Sequence, residues 1–131
     1  MKGQTLVRVA ISLTVLVALV SCQNPFEVGL GDDVDIDRPV VSLSAPSTGA
    51  FLRGTVELRG IARDDVRVAG VQLSFNNGSS WRDVDSYNPE TEQWRFSLDT
   101  TGMSNGSLPV LVRATDNTGK TTITESLLFT I

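Results

Sequence analysis

The groups of this sequence that could do chemistry are one thiol, Cys22, and several aspartates that follow short apolar runs. The 131 residues include no histidine. That excludes histidine-based acid–base catalysis, serine–histidine nucleophiles and nearly every kind of zinc site. A single cysteine cannot form an internal disulfide. Its roles are therefore a buried apolar side chain, a bond to another chain, a nucleophile or an attachment point.

The residues before Cys22 decide among these roles. Lys2 and Arg8 precede an apolar run over residues 9–20. This run is too short for a membrane-spanning helix, which needs roughly 20 residues. A basic start, a short apolar segment and small residues after it are typical of a secretory signal peptide.

The sequence Leu19-Val20-Ser21-Cys22 resembles the lipobox of bacterial lipoproteins. The resemblance implies that the thiol of Cys22 receives a diacylglycerol and that the signal peptide, residues 1–21, is removed. In such lipoproteins the new amino group of the cysteine, here Cys22, is often acylated as well. Two or more acyl chains hold a protein stably on a membrane. The resemblance implies a bacterial cell-envelope location. The outer membrane is favoured over the inner one because Gln23 is not the aspartate associated with inner-membrane retention.

The residues that follow form an acidic linker and then one domain. Residues 22–38 contain five acids and one arginine, which predicts a flexible tether. Removing residues 1–21 takes away two basic residues and no acid, so the net charge changes from −4 to −6. A chain of this charge is not expected to bind nucleic acid. The remaining length, about 110 residues, suffices for one hydrophobic core.

From residue 39 onward, apolar and polar residues alternate, and turn-forming residues separate the alternating runs. This pattern is typical of strands with one buried face. It places Trp94, Phe96 and Leu98 in the core. The predicted strands are 40–45, 55–62, 69–76, 81–86, 92–99, 107–115 and 120–130, with a short strand near 50–52. The sequence therefore predicts an all-β, antiparallel sandwich of about seven strands over residues 39–131.

Residues 39–131 resemble the bacterial immunoglobulin-like domains of surface and exported proteins. The segments that carry the resemblance are SAPSTGAFLRGTVELRGIARDD, VAGVQLSF and WRFSLDTTGMSNGSLPVLVRATDNTGK. The chain lacks the Cys…Trp…Cys pattern of the disulfide-linked antibody type. The resemblance implies an immunoglobulin-like fold and a surface setting, and it implies no particular ligand.

Four oxygen-bearing residues follow two of the predicted strands: Asp64 and Asp65 after the second, Asp116 and Asn117 after the sixth. In an immunoglobulin-type sandwich these two loops lie at the same end, where the acidic linker also enters. Oxygen ligands of this kind suit calcium. The alternative is that these residues accept hydrogen bonds from their own loop backbone, as Asp and Asn often do. We favour the second interpretation and expect no cofactor, with calcium as the alternative.

Two aromatic residues are candidates for ligand contact. Trp81 and Tyr87 could stack against sugar rings, but a packed or edge-covering tryptophan is the more common state. The acid pairs Asp83/Asp85 and Glu90/Glu92 are interpreted as solvated faces, and we predict that the protein is not an enzyme.

The sequence thus predicts a lipid-anchored envelope module with a binding, adhesion or structural role. Its partners would be the membrane, through the acyl chains, and an envelope protein or glycan that the sequence does not identify. The alternative function is a carbohydrate-binding module or an accessory subunit of an envelope enzyme complex. Surfaces for a partner are expected at the end away from the tether, in residues 47–53, 76–80 and 100–105.

Overall fold

A computed structural model of the chain describes residues 35–131, so Cys22, the signal peptide and most of the linker lie outside the described residues. Residues 35–131 form strands and turns, with no helix, in two antiparallel sheets. The predicted all-β, immunoglobulin-like sandwich is therefore confirmed. The strands of this part of the chain are β1 (Val40–Ala45), β2 (Thr55–Arg63), β3 (Val68–Ser74), β4 (Arg82–Asp83), β5 (Ser86–Asn88), β6 (Gln93–Asp99), β7 (Ser107–Asp116), β8 (Thr121–Ile123) and β9 (Leu127–Thr130). Within residues 35–131, no helix has the length and apolar character needed to cross a membrane.

The first sheet has the strand order β1-β2-β6-β5. Strands β2 and β6 alternate buried and exposed residues over most of their length, as a sheet with one covered face requires. Their register places Leu58 opposite Phe96 and Gly60 opposite Trp94. The apolar sides of the two strands therefore face the same core.

Trp94 is fully buried, which confirms its predicted place in the core. Its indole Nε1 donates a hydrogen bond to the carbonyl oxygen of Ser42 at 3.2 Å. Gly60 makes this possible, since a Cβ there would lie 1.9 Å from the Ser42 oxygen and 2.6 Å from the indole ring. The absence of a side chain at residue 60 thus lets the largest buried side chain lie against β2.

The second sheet has the order β4-β3-β7-β8, and β9 also pairs with β7. Strand β3 contributes Val71 and Leu73 to the core, and β7 contributes Val110, Val112 and Ala114. These side chains pack against the buried face of the first sheet. The sandwich is held by this apolar layer, because burial of apolar area is the dominant favourable term in folding.

The predicted strand over residues 81–86 is wrong as a single element. The chain crosses from one sheet to the other at this point: Val84 N donates to Val71 O at 3.1 Å, and Asp85 N donates to Arg95 O at 2.9 Å. Strand β4 therefore belongs to the second sheet and β5 to the first.

The predicted strand over residues 120–130 is also divided. The hydroxyl of Thr124 accepts a hydrogen bond from Val112 N at 3.1 Å, so a side-chain oxygen replaces a backbone carbonyl between β8 and β9. The short strand expected near 50–52 is reduced to one bridge at Phe51.

Candidate metal centre

Three aspartates that are distant in sequence meet at one end of the sandwich. Asp64 directly follows β2, Asp116 is the last residue of β7, and Asp35 lies shortly before β1. Strand β1 starts opposite the last residue of β2, which brings Asp35 to the same end. One carboxylate oxygen from each aspartate lies within 4.8 Å of the others. We call these three residues, together with Lys120, the acidic end.

Asp64 closes the turn between β2 and β3. Its Oδ2 accepts hydrogen bonds from Val66 N at 3.2 Å and Arg67 N at 2.9 Å. Its Oδ1 is buried and has no hydrogen-bond donor among the described residues. One oxygen of Asp64 is therefore used by its own turn and the other is not.

Asp116 makes a similar turn after β7. Its Oδ1 accepts hydrogen bonds from the N–H and hydroxyl of Thr118, both at 2.8 Å, and from Lys120 N at 2.9 Å. Asp116 is only 2% exposed. Burial alone would raise the pKa of this carboxyl, but the hydrogen bonds from Thr118 and Lys120 outweigh burial and lower the pKa from 3.8 to about 2.

Lys120 joins Asp35 to Asp116. Its Nζ donates to Asp35 Oδ1 at 2.9 Å, to Asp35 O at 2.7 Å and to the hydroxyl of Thr118. The same nitrogen lies 3.1 Å from Asp116 Oδ2. Burial would lower the pKa of Lys120, but the hydrogen bond to Asp35 and the ion pair with Asp116 outweigh burial and raise it.

The predicted calcium residues divide into two groups. Asp64 and Asp116 are brought together, whereas Asp65 and Asn117 are exposed and lie outside the cluster. Asn117 contributes through its backbone, since its N–H donates to Arg67 O at 3.2 Å and links the two loops. Asp35 was predicted to lie at this end as one acid of the entering linker, but it was not among the four candidate calcium ligands. Metal binding at these residues stays a prediction.

The two candidate aromatic residues lie on different sheets. Trp81 directly precedes β4, is half-buried, and has the guanidinium carbon of Arg113 4.2 Å from its ring centroid. Tyr87 lies on β5, and its hydroxyl donates to Ala62 O at 2.9 Å. Burial, followed by the charges of Glu92 and Asp64, raises the pKa of Tyr87. Sugar contact at either residue stays a prediction.

Asp83 and Asp85 are exposed, as expected for a solvated face, and each also accepts a hydrogen bond from a neighbouring strand. Asp83 Oδ1 accepts a hydrogen bond from Gln72 Nε2 at 2.8 Å. Asp85 Oδ2 accepts one from Ser97 N at 2.6 Å, beside the point where the chain changes sheets. Both residues support strand pairing between neighbours.

The opposite end of the sandwich carries an apolar groove. It is lined by parts of two of the predicted partner surfaces, 47–53 and 100–105. Phe51, at its edge, is 83% exposed, whereas the neighbouring Leu52 is buried in the core. We call this region the groove end.

Residues 39–124 match a family model described as bacterial Ig domain. The chain belongs to the bacterial Ig domain family. This match confirms the resemblance to bacterial immunoglobulin-like domains, and it covers strands β1 to β8 of the sandwich. A search of the curated proteins finds no match.

Two solved structures share the fold. The endo-β-1,4-mannanase of Thermotoga petrophila matches with a TM-score of 0.61 and 20% identity, over 74% of this chain and 20% of the mannanase chain. Fibronectin(III)-like modules of Clostridium thermocellum CbhA match with a TM-score of 0.55 and 14% identity, over 70% of this chain and 45% of theirs. The chain thus spans less than half of each structure. At these identities the likeness establishes the fold.

Proposed function

We propose that this bacterial Ig domain is a lipid-anchored accessory module of the cell envelope, held on the membrane through Cys22 and without catalytic activity of its own. The observation that carries the proposal is the sequence Leu19-Val20-Ser21-Cys22, which lies shortly before the matched domain. A lipid on Cys22 confines the domain to a membrane surface and raises its effective concentration toward partners on that surface.

The two similar structures support an accessory role. In each of them the matched region is a minor part of the chain, and one chain is an endo-β-1,4-mannanase. The absence of histidine from the whole sequence, and of a free thiol once Cys22 is lipidated, also favours a binding or structural role. An envelope protein is the proposed partner, and its docking surface is the groove end.

Metabolic labelling with an alkyne fatty acid tests the anchor. The full chain, expressed in a bacterial host, is expected to incorporate the label and to fractionate with membranes. Cys22→Ser removes the acceptor thiol, so the label should be lost. Ser21→Ala is the matched control, because alanine keeps a small residue before the cysteine and should leave labelling intact. Label that persists in Cys22→Ser would overturn the proposal.

A sugar-binding module is a second candidate function. It is favoured by Trp81, whose ring is only half-buried although Arg113 lies against it. Aromatic rings of this kind can stack against apolar faces of sugars. Retention of the full chain on insoluble mannan or cellulose, lost in Trp81→Ala and kept in Tyr87→Phe, would support this function. Equal elution of all three proteins would exclude these two polysaccharides as ligands.

A further inference from the structure

Each aspartate of the acidic end uses one carboxylate oxygen within the protein and leaves the other without a hydrogen-bond donor. The oxygens without a donor among the described residues are Asp35 Oδ2, Asp64 Oδ1 and Asp116 Oδ2, and all three are buried. An unpaired buried polar atom is costly, and native proteins seldom leave one without a partner or a bound ion. Three such atoms in one cluster call for a common explanation.

Two of the three aspartate side chains have almost no contact with bulk water. The side chain of Asp35 is 3% exposed and that of Asp116 is fully buried. Buried carboxylates are normally paired with cations or bound to metals. Both side chains approach the same cluster from different elements, so they are not held together by one local turn.

Lys120 does not satisfy these oxygens alone. An ammonium group has three donors. Those of Lys120 go to Asp35 O, Asp35 Oδ1 and the hydroxyl of Thr118. Asp116 Oδ2 forms an ion pair with the ammonium nitrogen at 3.1 Å, but this contact lacks the geometry of a hydrogen bond. The donor capacity of Lys120 is therefore used up before the three oxygens are paired.

The charges of the acidic end point to a divalent cation. Three carboxylates and one ammonium leave a formal charge of −2 at neutral pH. A divalent cation would neutralise that charge, and a second monovalent cation would not.

We propose that the acidic end binds one calcium ion through Asp35 Oδ2, Asp64 Oδ1 and Asp116 Oδ2. Calcium binds carboxylate oxygens at about 2.3–2.6 Å, so two of its ligands lie at most about 5 Å apart. The observed spacing of one oxygen per aspartate, within 4.8 Å, meets this limit. All three ligands are hard oxygen donors, which suit calcium, magnesium and manganese better than copper or zinc. Water completes the six to eight ligands that calcium requires.

The ion would give the domain a fixed entry point for the preceding chain. It would connect Asp35, five residues before β1, to the ends of β2 and β7, which belong to different sheets. The site is independent of the proposed anchor, because all its ligands lie in residues 35–131.

Thermal unfolding of the full chain tests the site. Tryptophan fluorescence, to which the buried Trp94 and the half-buried Trp81 both contribute, reports unfolding, first in EDTA and then in calcium. Calcium sites of extracellular modules bind with dissociation constants of about 0.1–1 mM, so about 10 mM calcium should raise Tm by about 5–10 °C. Equilibrium dialysis with calcium should give one bound ion per chain.

Asp64→Asn is the test variant and Asp65→Asn its matched control. Asn can still accept the loop hydrogen bonds from Val66 and Arg67, so Asp64→Asn should fold and should lose the calcium-induced rise in Tm. Asp65 is exposed and outside the cluster, so Asp65→Asn should keep the full rise.

Four results would overturn the proposal. The first is a Tm that does not change in calcium together with no ion bound in dialysis. The second is an equal loss of the calcium-induced rise in Tm in Asp64→Asn and Asp65→Asn. It would show that the response depends on the total negative charge of the loop and not on Asp64 itself. The third is the same rise with an equal concentration of magnesium, which would contradict calcium as the ion. The fourth is the same rise with salt of equal ionic strength, which would show screening and no bound ion.

Discussion

Two strands of the sandwich end in the same aspartate–threonine turn, at opposite ends of the molecule. Asp99 ends β6 and Asp116 ends β7. In both turns the threonine two residues later donates its backbone N–H and its hydroxyl to Oδ1 of the aspartate. The distances are 2.9 and 2.7 Å from Thr101, and 2.8 Å for both from Thr118. We call them the Asp99 turn (residues 99–103) and the Asp116 turn (residues 116–120).

The surroundings of the two turns differ. Asp99 is exposed, and the fifth residue of its turn is Met103, whose N–H donates to Thr100 O. Asp116 is buried, and the fifth residue of its turn is Lys120, whose N–H and ammonium group both lie against the carboxylate. The hydrogen bonds from Thr101, backbone first, lower the pKa of Asp99 too.

The comparison separates what a turn does from what its surroundings do. The aspartate–threonine turn alone is enough to favour an ionised carboxylate, since both carboxyl groups have a lowered pKa. Asp116 differs because it is buried beside Asp35, Asp64 and Lys120. Its carboxylate therefore lies among side chains from distant segments of the chain. A local motif can thus be structural at one end of the fold and a candidate ligand at the other.

The largest expected effect is that of removing each carboxylate. Asp116→Ala leaves the N–H groups of Thr118 and Lys120 without their acceptor and removes one counter-charge of the ammonium group. Asp99→Ala leaves donors that water can reach, because Asp99 and Thr101 are exposed. Urea unfolding should therefore show a clearly lower midpoint for Asp116→Ala than for Asp99→Ala. Equal midpoints would show that burial of the Asp116 turn does not make its carboxylate more important for stability than that of Asp99.

The strand pattern of this fold could be predicted from sequence because each long strand has one buried face. Alternation was enough to place Trp94 in the core and to find β2, β6 and β7. Alternation does not tell which sheet a short segment joins. The crossing between Val84 and Asp85 depends on which neighbouring strand offers a free edge, so it could not be read from residues 81–86 alone.

The acidic end could be predicted only in part. The order of loops in an immunoglobulin-type sandwich was enough to bring Asp64 near Asp116. It could not tell which of Asp64 and Asp65 joins the cluster. Neighbouring residues of a turn point in different directions, and the order of loops does not show which of them points toward Asp116. Asp35 contacts Lys120 across 85 positions of sequence. The linker acids were predicted to lie at this end, but composition gave no reason to choose Asp35 over the other linker acids.

A smaller effect is expected from the threonines of the two turns. Thr118→Val removes one hydroxyl donor from Asp116, and the free energy of unfolding should fall by about 0.5–1.5 kcal/mol. Thr101→Val should cost less, because the hydroxyl and the carboxylate of the Asp99 turn are exposed. Repeating Thr118→Val in the Asp116→Ala background is the control. The effect of Thr118→Val should shrink there if the hydroxyl acts through the carboxylate, and an unchanged effect would assign it to Lys120.

The smallest effect is the pH dependence of the Asp99 turn. The folded pKa of Asp99 lies below its ordinary value of 3.8, so the ionised carboxylate stabilises the fold above that pH. This contribution is lost as the pH falls through the folded pKa. The Tm difference between the unaltered chain and Asp99→Asn should accordingly be small and constant near neutral pH and should disappear on acidification. The corresponding difference for Asp116→Asn should persist further, because the pKa of Asp116 is about 2. Tryptophan fluorescence at a series of pH values measures both differences in Tm. Loss of the two differences at the same pH would mean that the buried turn stabilises its charge no better than the exposed one.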